Sequence, residues 1–331
     1  MTVNRHGIFA LKKCAKMKKD FDAVSFRDLE QDCEYRFMTG EPFWHLYTDG
    51  NKVDIIFSSV EDFNTGMNLL AVCCLRLPEV EVFTFELMNN HLHMIMSGNM
   101  GKCRELFETF KSMLKRYFSR NGRIVDLKGF NCEMIQITSL QSLRNEIIYT
   151  NRNGFVARPD CTPFSYPWGA GAWFFNPFLN LIPAKDYDKL TVKEKRAICH
   201  SNDITIPSHD VKVYEGVILP TSFCHIEKAE AFFRNAHHYF QLLTRKFEAY
   251  SEIANRLHEK VFISDEEMYS AVCSLCMKLH NVRNPSQLGS KERIEMARKM
   301  RQDYNASNRQ IKNILKLDSS IVDALFPMPE H

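Results

Sequence analysis

The stretch 85–98, FELMNNHLHMIMSG, joins two apolar runs, Val80 to Met88 and Leu92 to Met96. Both are rich enough in β-branched, aromatic and other apolar residues to read as strands, and Asn89-Asn90 sets them apart. Side chains alternate between the two faces of a strand, so His91 and His93 share one side while Leu92 takes the other. Two imidazoles on one face can ligate a single divalent cation. A cation held with open positions can polarise a phosphodiester. Taken alone, the pair fits a solvated strand face better than a metal centre.

Working outward, Phe43 to Tyr47 and Val53 to Phe57 read as short strands around the turn signal Asp49-Gly50-Asn51. Glu61 to Leu77 has helical spacing, with Phe63, Met67, Leu70, Cys74 and Leu77 on one side, and Pro78 stops it. Lys102 to Arg120 is an amphipathic helix with Leu106, Phe110, Met113, Leu114 and Tyr117 inward, ended by Asn121-Gly122. Gly129 to Ile137 is extended. Thr138 and Ser139 then offer caps for a helix running to about Asn151, with Asn153-Gly154 as its breaker. This order predicts an α+β fold, with helices on one face of an antiparallel sheet. Residues 1–42 read as an N-terminal arm and 43–157 as the core. Residues 158–225, dense in Pro, Gly, Trp and Phe, read as a linker and packing segment. From Ile226 to residue 331 the pattern is helical, which predicts a C-terminal all-helical domain.

At 331 residues, 45% of them hydrophobic and 25% charged, the chain can bury a substantial core. No apolar run of about 18 residues is present, which argues against a membrane span. The first residues lack the apolar core of a secretion signal, and eleven scattered cysteines suit reduced thiols. A cytoplasmic protein, in a bacterial cytosol and associated with the nucleoid, is the expectation. The net charge of +3 hides two basic islands. Lys102 to Lys128 carries eight Lys/Arg against three Asp/Glu, and Lys278 to Lys316 ten against three. Such islands suit a polyanionic partner or two solvated helix faces.

Tyr149 and Asn153 lie four apart, hence on one helix face. A tyrosine hydroxyl can attack phosphorus to form a covalent phosphotyrosine, and an amide oxygen is a suitable hard ligand beside two histidines. FELMNNHLHMIMSG (85–98) resembles the metal-binding strand of HUH single-tyrosine transposases, an apolar run followed by Asn-His-hydrophobic-His and a second apolar run. IIYTNRNGFV (147–156) resembles their catalytic helix, and YPWGAGAWF (166–174) is similar to the Trp-containing segment that follows it in REP-associated (IS200-like) tyrosine transposases. LFETFKSMLKRYFSRNG (106–122) resembles the intervening helix, and VDIIFSSVEDF (53–63) the early strand and turn. The similarity spans roughly residues 43–175. Gly154 stands where the family more usually has proline.

The resemblance implies a ferredoxin-like sheet with the histidine strand central. His91, His93 and Asn153 would hold Mg²⁺ or Mn²⁺. Tyr149 would cleave single-stranded or hairpin DNA, leaving a 5′-phosphotyrosine and a free 3′-hydroxyl. Lys111, Lys115, Arg116, Arg120 and Arg123 become candidate phosphate contacts. Related enzymes act as monomers or as homodimers with shared sites, and the sequence leaves both open. SNRQIKNILKLDSSIVDALF (307–326) reads like a helix-turn-helix with Arg309 and Lys312 facing DNA, or like plain helical packing. Cys273 and Cys276 fit two buried thiols better than zinc, and His237-His238 a structural role. Trp168, Trp173, Phe174 and Phe175 fit a domain-joining core better than base stacking. A domesticated DNA-binding protein that mobilises nothing is the second reading. A histidine-metal hydrolase without a covalent step is disfavoured, because no carboxylate-rich two-metal set accompanies the histidines.

Overall fold

Alternation along Phe43-Trp44-His45-Leu46-Tyr47 is resolved by a strand that has neighbours on both sides and cover on both faces. In the computed structural model, β1 (Phe43–Thr48) lies between β3 (Leu92–Ser97) and β4 (Cys132–Ile137), with β2 (Glu81–Leu87) beyond β3. The structure describes residues 26–157, 165–243, 253, 257, 265–304 and 306–327. Every neighbouring pair is antiparallel, so β1 runs parallel to β2 and β3 to β4, each pair separated by a strand of the other. Helix α2 (Val60–Arg76) links β1 to β2, and α3 (Met100–Arg120) links β3 to β4. The Ser59 hydroxyl caps α2 by accepting from Asp62 N–H, a contact worth about 1 kcal/mol.

Register sorts the side chains. Tyr47 stands opposite His93, and His93 opposite Glu86; one position along, Leu46 stands opposite Met94, and Met94 opposite Phe85. Helix α2 covers the Leu46 face, where a Cβ on Gly66 would come within 2.7 Å of both Leu87 and Phe57, and α3 packs beside α2. Helix α4 (Leu140–Ala157) covers the opposite face, where Glu146 meets His45. Helices therefore cover both faces, not one; element order alone does not say which face a last helix takes. The helix also runs past its expected breaker. At Gly154 a Cβ would overlap the Glu86 carboxyl and the Tyr166 ring, so this glycine serves close packing inside α4.

Other expectations shift in the same way. Val53 to Phe57 is not a strand: the N–H groups of Ile56 and Phe57 both donate to the Asn89 carbonyl at 2.9 Å, and both side chains are buried. Within the expected arm, Phe26–Thr39 forms helix α1, pinned to α4 by the Arg144–Glu30 ion pair; residues 1–25 lie outside the described residues. In the expected linker, residues 158–164 are likewise outside, and the remainder closes the sheet's edge. Leu87 N–H donates to Trp168 O, Ala170 N–H to Phe85 O, and His225 N–H to Val82 O. These bonds occupy an edge that would otherwise be open to further strands. Further on, β5 (Lys185–Asp186), α5 (Val192–Cys199), β6 (Lys212–Tyr214) and β7 (Val217–Ile218) form a small three-stranded sheet and its helix.

Among the described residues two buried apolar clusters result. The first runs from Cys33 to Leu257 and includes α6 (Ile226–Glu230) and α7 (Ala236–Leu243), so it extends beyond the expected boundary at residue 226. Phe232 packs edge-on against Phe43 and Phe83, and Phe174 stacks on Tyr239, which ties these segments to the sheet. The second runs from Met268 to Val322. It joins α8 (Asp265–His280), α9 (Ser290–Tyr304), α10 (Asn308–Leu315) and α11 (Ser319–Leu325). Among the described residues no helix is long and apolar enough to cross a membrane.

Candidate functional site

The face of the sheet beneath α4 gathers polar groups from three strands and a helix. Strand β1 supplies His45 and Tyr47, β3 supplies His93 with His91 just before it, and β2 supplies Glu86. On α4, Glu146, Tyr149, Thr150 and Asn153 recur at helical spacing and form one stripe. The Tyr149 ring centroid lies 5.7 Å from that of His93 and 6.2 Å from that of His45, and the His91 and His93 rings are 5.3 Å apart. Three of the four residues singled out in the sequence thus meet. Tyr149 itself is 5% exposed.

Each histidine ring has a partner that fixes its attitude. His91 Nδ1 lies 2.7 Å from Asn90 Oδ1, and the Asn90 amide N–H groups donate to Gly50 O and Val53 O. Gly50 is held close: a Cβ there would approach His91 Nδ1 to 2.9 Å. His93 Nδ1 lies 3.0 Å from His45 Nε2, and His45 Nδ1 lies 2.8 Å from Glu146 Oε2. The Tyr47 hydroxyl donates to Glu133 at 2.8 Å, and its ring lies nearly parallel to His93. His45 and Glu146 join this cluster although no motif in the sequence marks them. The signal for His45 was present, since alternation in 43–47 puts one histidine on the face that a neighbouring strand gives to His93.

Around this cluster the structure leaves polar atoms exposed to no water and to no partner. Glu86 Oε2, Thr150 Oγ1 and Asn153 Nδ2 are buried without a hydrogen-bond partner among the described residues. Burial drives the Glu86 carboxyl well above the ordinary carboxylate range, against the opposing hydrogen bond from Gly154 N–H. A half-turn of the Asn153 amide would put its oxygen at the orphaned position, where a cation could satisfy it. The amide oxygen is a donor suited to Mg²⁺ or Mn²⁺, and the two imidazoles suit a transition metal such as Mn²⁺ better than Mg²⁺. Among the described residues no group of three or more His, Cys, Asp or Glu is set to hold a metal.

The basic candidates lie elsewhere. Lys111, Lys115, Arg116 and Arg120 are on α3, on the other side of the sheet from Tyr149. Lys111 donates to Asn131 and Arg120 to His200 O, while Lys115 and Arg116 are exposed. Arg123 is committed to structure through an ion pair with buried Asp62. Arg309 and Lys312 are exposed on α10, which is joined to α11 by Lys316, Leu317 and the capping Asp318. Lys316 adopts a left-handed conformation at the turn, with φ +53°. Trp168 and Phe174 are buried in the first core, Trp168 stacked on Phe63 at 3.9 Å, so they are not displayed for bases. Cys276 is buried and Cys273 half-buried; the His238 ring is buried while His237 meets Gln241.

Neither a protein-family model, nor a curated protein, nor a solved structure matches the chain.

Proposed function

We propose that the chain is a metal-dependent single-strand DNA endonuclease and strand-transferase, with Tyr149 as nucleophile and an HUH-type core. The observation that carries this reading is the meeting of His91, His93 and Tyr149, two motifs 56 residues apart, within ring contact on one face of the sheet. The strand order β2-β3-β1-β4, with paired strands interleaved, supports a ferredoxin-like core. His91, His93 and Asn153 would hold Mg²⁺ or Mn²⁺, which when bound supplies Lewis-acid polarisation of the scissile phosphate. Both histidines have Nδ1 engaged, so Nε2 is the nitrogen each would offer.

The chain's own steps follow from Tyr149. Its Oη attacks phosphorus, the bond from phosphorus to the 3′ oxygen breaks, and the phenol proton is balanced by protonation of the departing oxygen. The product is a 5′-phosphotyrosine and a free 3′-hydroxyl, and the reverse attack rejoins DNA. A hairpin or repeat sequence is the substrate class we favour, with α10 and α11 reading the flanking duplex.

The test is incubation of the protein with labelled single-stranded hairpin DNA and Mn²⁺, resolved on a denaturing gel. A covalent adduct is expected for the wild type and none for Tyr149→Phe. An adduct that persists in Tyr149→Phe would remove Tyr149 as nucleophile; a wild type that binds the hairpin and never forms one would favour a DNA-binding protein without strand transfer.

A further inference from the structure

We propose that Glu146 and His45 are positioning residues that hold His93 in its Nδ1–H tautomer and thereby present its Nε2 to a divalent cation. The inference rests on the metal-site reading of His91 and His93. Three buried groups from α4, β1 and β3 form a chain: Glu146 Oε2 to His45 Nδ1 at 2.8 Å, then His45 Nε2 to His93 Nδ1 at 3.0 Å. His45 and His93 are fully buried and Glu146 is 1% exposed.

The direction of the chain in this proposal follows from hydrogen-bonding capacity. With Glu146 as a carboxylate acceptor, His45 donates from Nδ1. A neutral imidazole has one donor and one acceptor nitrogen. With a neutral His45 donating from Nδ1, its Nε2 accepts, and His93 donates from Nδ1. The lone pair of His93 is then on Nε2, the form that binds a metal. Burial strengthens both bonds and leaves no water to offer the ring a different orientation.

The second histidine reaches the same state by a different device. Asn90 spends its amide N–H groups on Gly50 O and Val53 O, so its oxygen accepts from His91 Nδ1. Two unrelated contacts thus set the same tautomer on two histidines that share a face. A purely structural polar cluster has no need of that agreement; a pair of ligands does. The chain also ties the attitude of a ligand on β3 to the helix that carries Tyr149, because Glu146 lies one turn before the tyrosine.

The experiment uses the full chain without DNA, with isotope-labelled histidine. Long-range proton–nitrogen correlation spectra are expected to show His93 with its proton on Nδ1. Mn²⁺ affinity, read by electron paramagnetic resonance, is expected to fall about 10- to 100-fold in His45→Phe. His45→Gln, whose Oε1 falls near the place of Nε2 and can accept the same hydrogen bond, should recover most of it. Glu146→Met, which removes the acceptor at similar volume, serves if His45→Phe does not fold, with about a tenfold loss expected. A wild-type His93 protonated on Nε2 would overturn the proposal. So would unchanged Mn²⁺ affinity in folded His45→Phe or Glu146→Met. An Nδ1–H tautomer in a wild type that binds no Mn²⁺ would support the relay and overturn the metal-site reading on which it was built.

Discussion

The two faces of the four-stranded sheet are built from the same strands and put to opposite uses. On the face toward α2, Leu46, Met94 and Phe85 line up in register, all three fully buried. One residue along, on the face toward α4, the same strands align Tyr47, His93 and Glu86. The first face is held by non-directional apolar burial, which stabilises whatever packs well. The second is held by hydrogen bonds that must each be aimed, and several of its buried atoms have no partner among the described residues. Alternation gives one face to apolar packing and the other to a polar cluster whose burial carries a desolvation cost.

That contrast can be broken by mutation. Leu46→Ala should cost the most stability, about 2–5 kcal/mol in urea unfolding, because it opens a cavity in a closed apolar layer. Tyr149→Phe, which removes one hydroxyl from the other face, should move stability by about 1 kcal/mol. If the two substitutions cost the same, the division between scaffold and site fails.

Gly154→Ala comes next. The added methyl would overlap the Glu86 carboxyl and the Tyr166 ring, and an overpacked site of this kind loses about 1–3 kcal/mol. Glu86→Ala should relieve part of that penalty in the double variant, and simple additivity would show that the two groups do not press on each other.

A smaller, pH-dependent effect belongs to the apolar side, where Asp62 is buried at the start of α2. Burial alone would raise its pKa, but the Ser58 N–H and the Arg123 guanidinium more than offset this and hold it below the ordinary value. The ionised group therefore adds stability above its unfolded pKa of about 3.9, and that stability is lost as pH falls through the lower folded value. Arg123 is 37% exposed, so screening keeps the effect near about 1 kcal/mol. The stability gap between wild type and Asp62→Asn should narrow between neutral pH and pH of about 3; a constant gap would assign the loss to shape rather than charge.

Much of this contrast could be read from the sequence, for a physical reason. Period-two alternation around His91-Leu92-His93 and helical spacing in 106–117 are local signals, and the structure keeps both elements within a residue or two. What could not be read was set by distant contacts. Val53 to Phe57 looks like a strand because it is apolar, yet the N–H groups of Ile56 and Phe57 both go to one carbonyl, that of Asn89. Gly154 looks like a helix end because glycine is flexible, yet it is needed for the closeness of Glu86. His45 carries no motif of its own; only the register of β1 against β3 reveals what it touches.

The smallest effects bear on where DNA would run if the proposed function holds. The exposed charges of α3, Lys115 and Arg116, lie on the apolar side of the sheet, away from Tyr149. A short strand with its phosphate at His93 and Tyr149 has no need to cross to them, so Lys115→Ala and Arg116→Ala should leave adduct yield on a short oligonucleotide unchanged. Stability should move by less than about 0.5 kcal/mol. On a long hairpin, which can wrap past the sheet edge, each lost phosphate contact should lower the salt-dependence slope of binding by about 0.7–0.9. If the short oligonucleotide suffers as much as the long hairpin, the cleaved strand itself passes over α3. The two faces would then share the substrate instead of dividing support from chemistry.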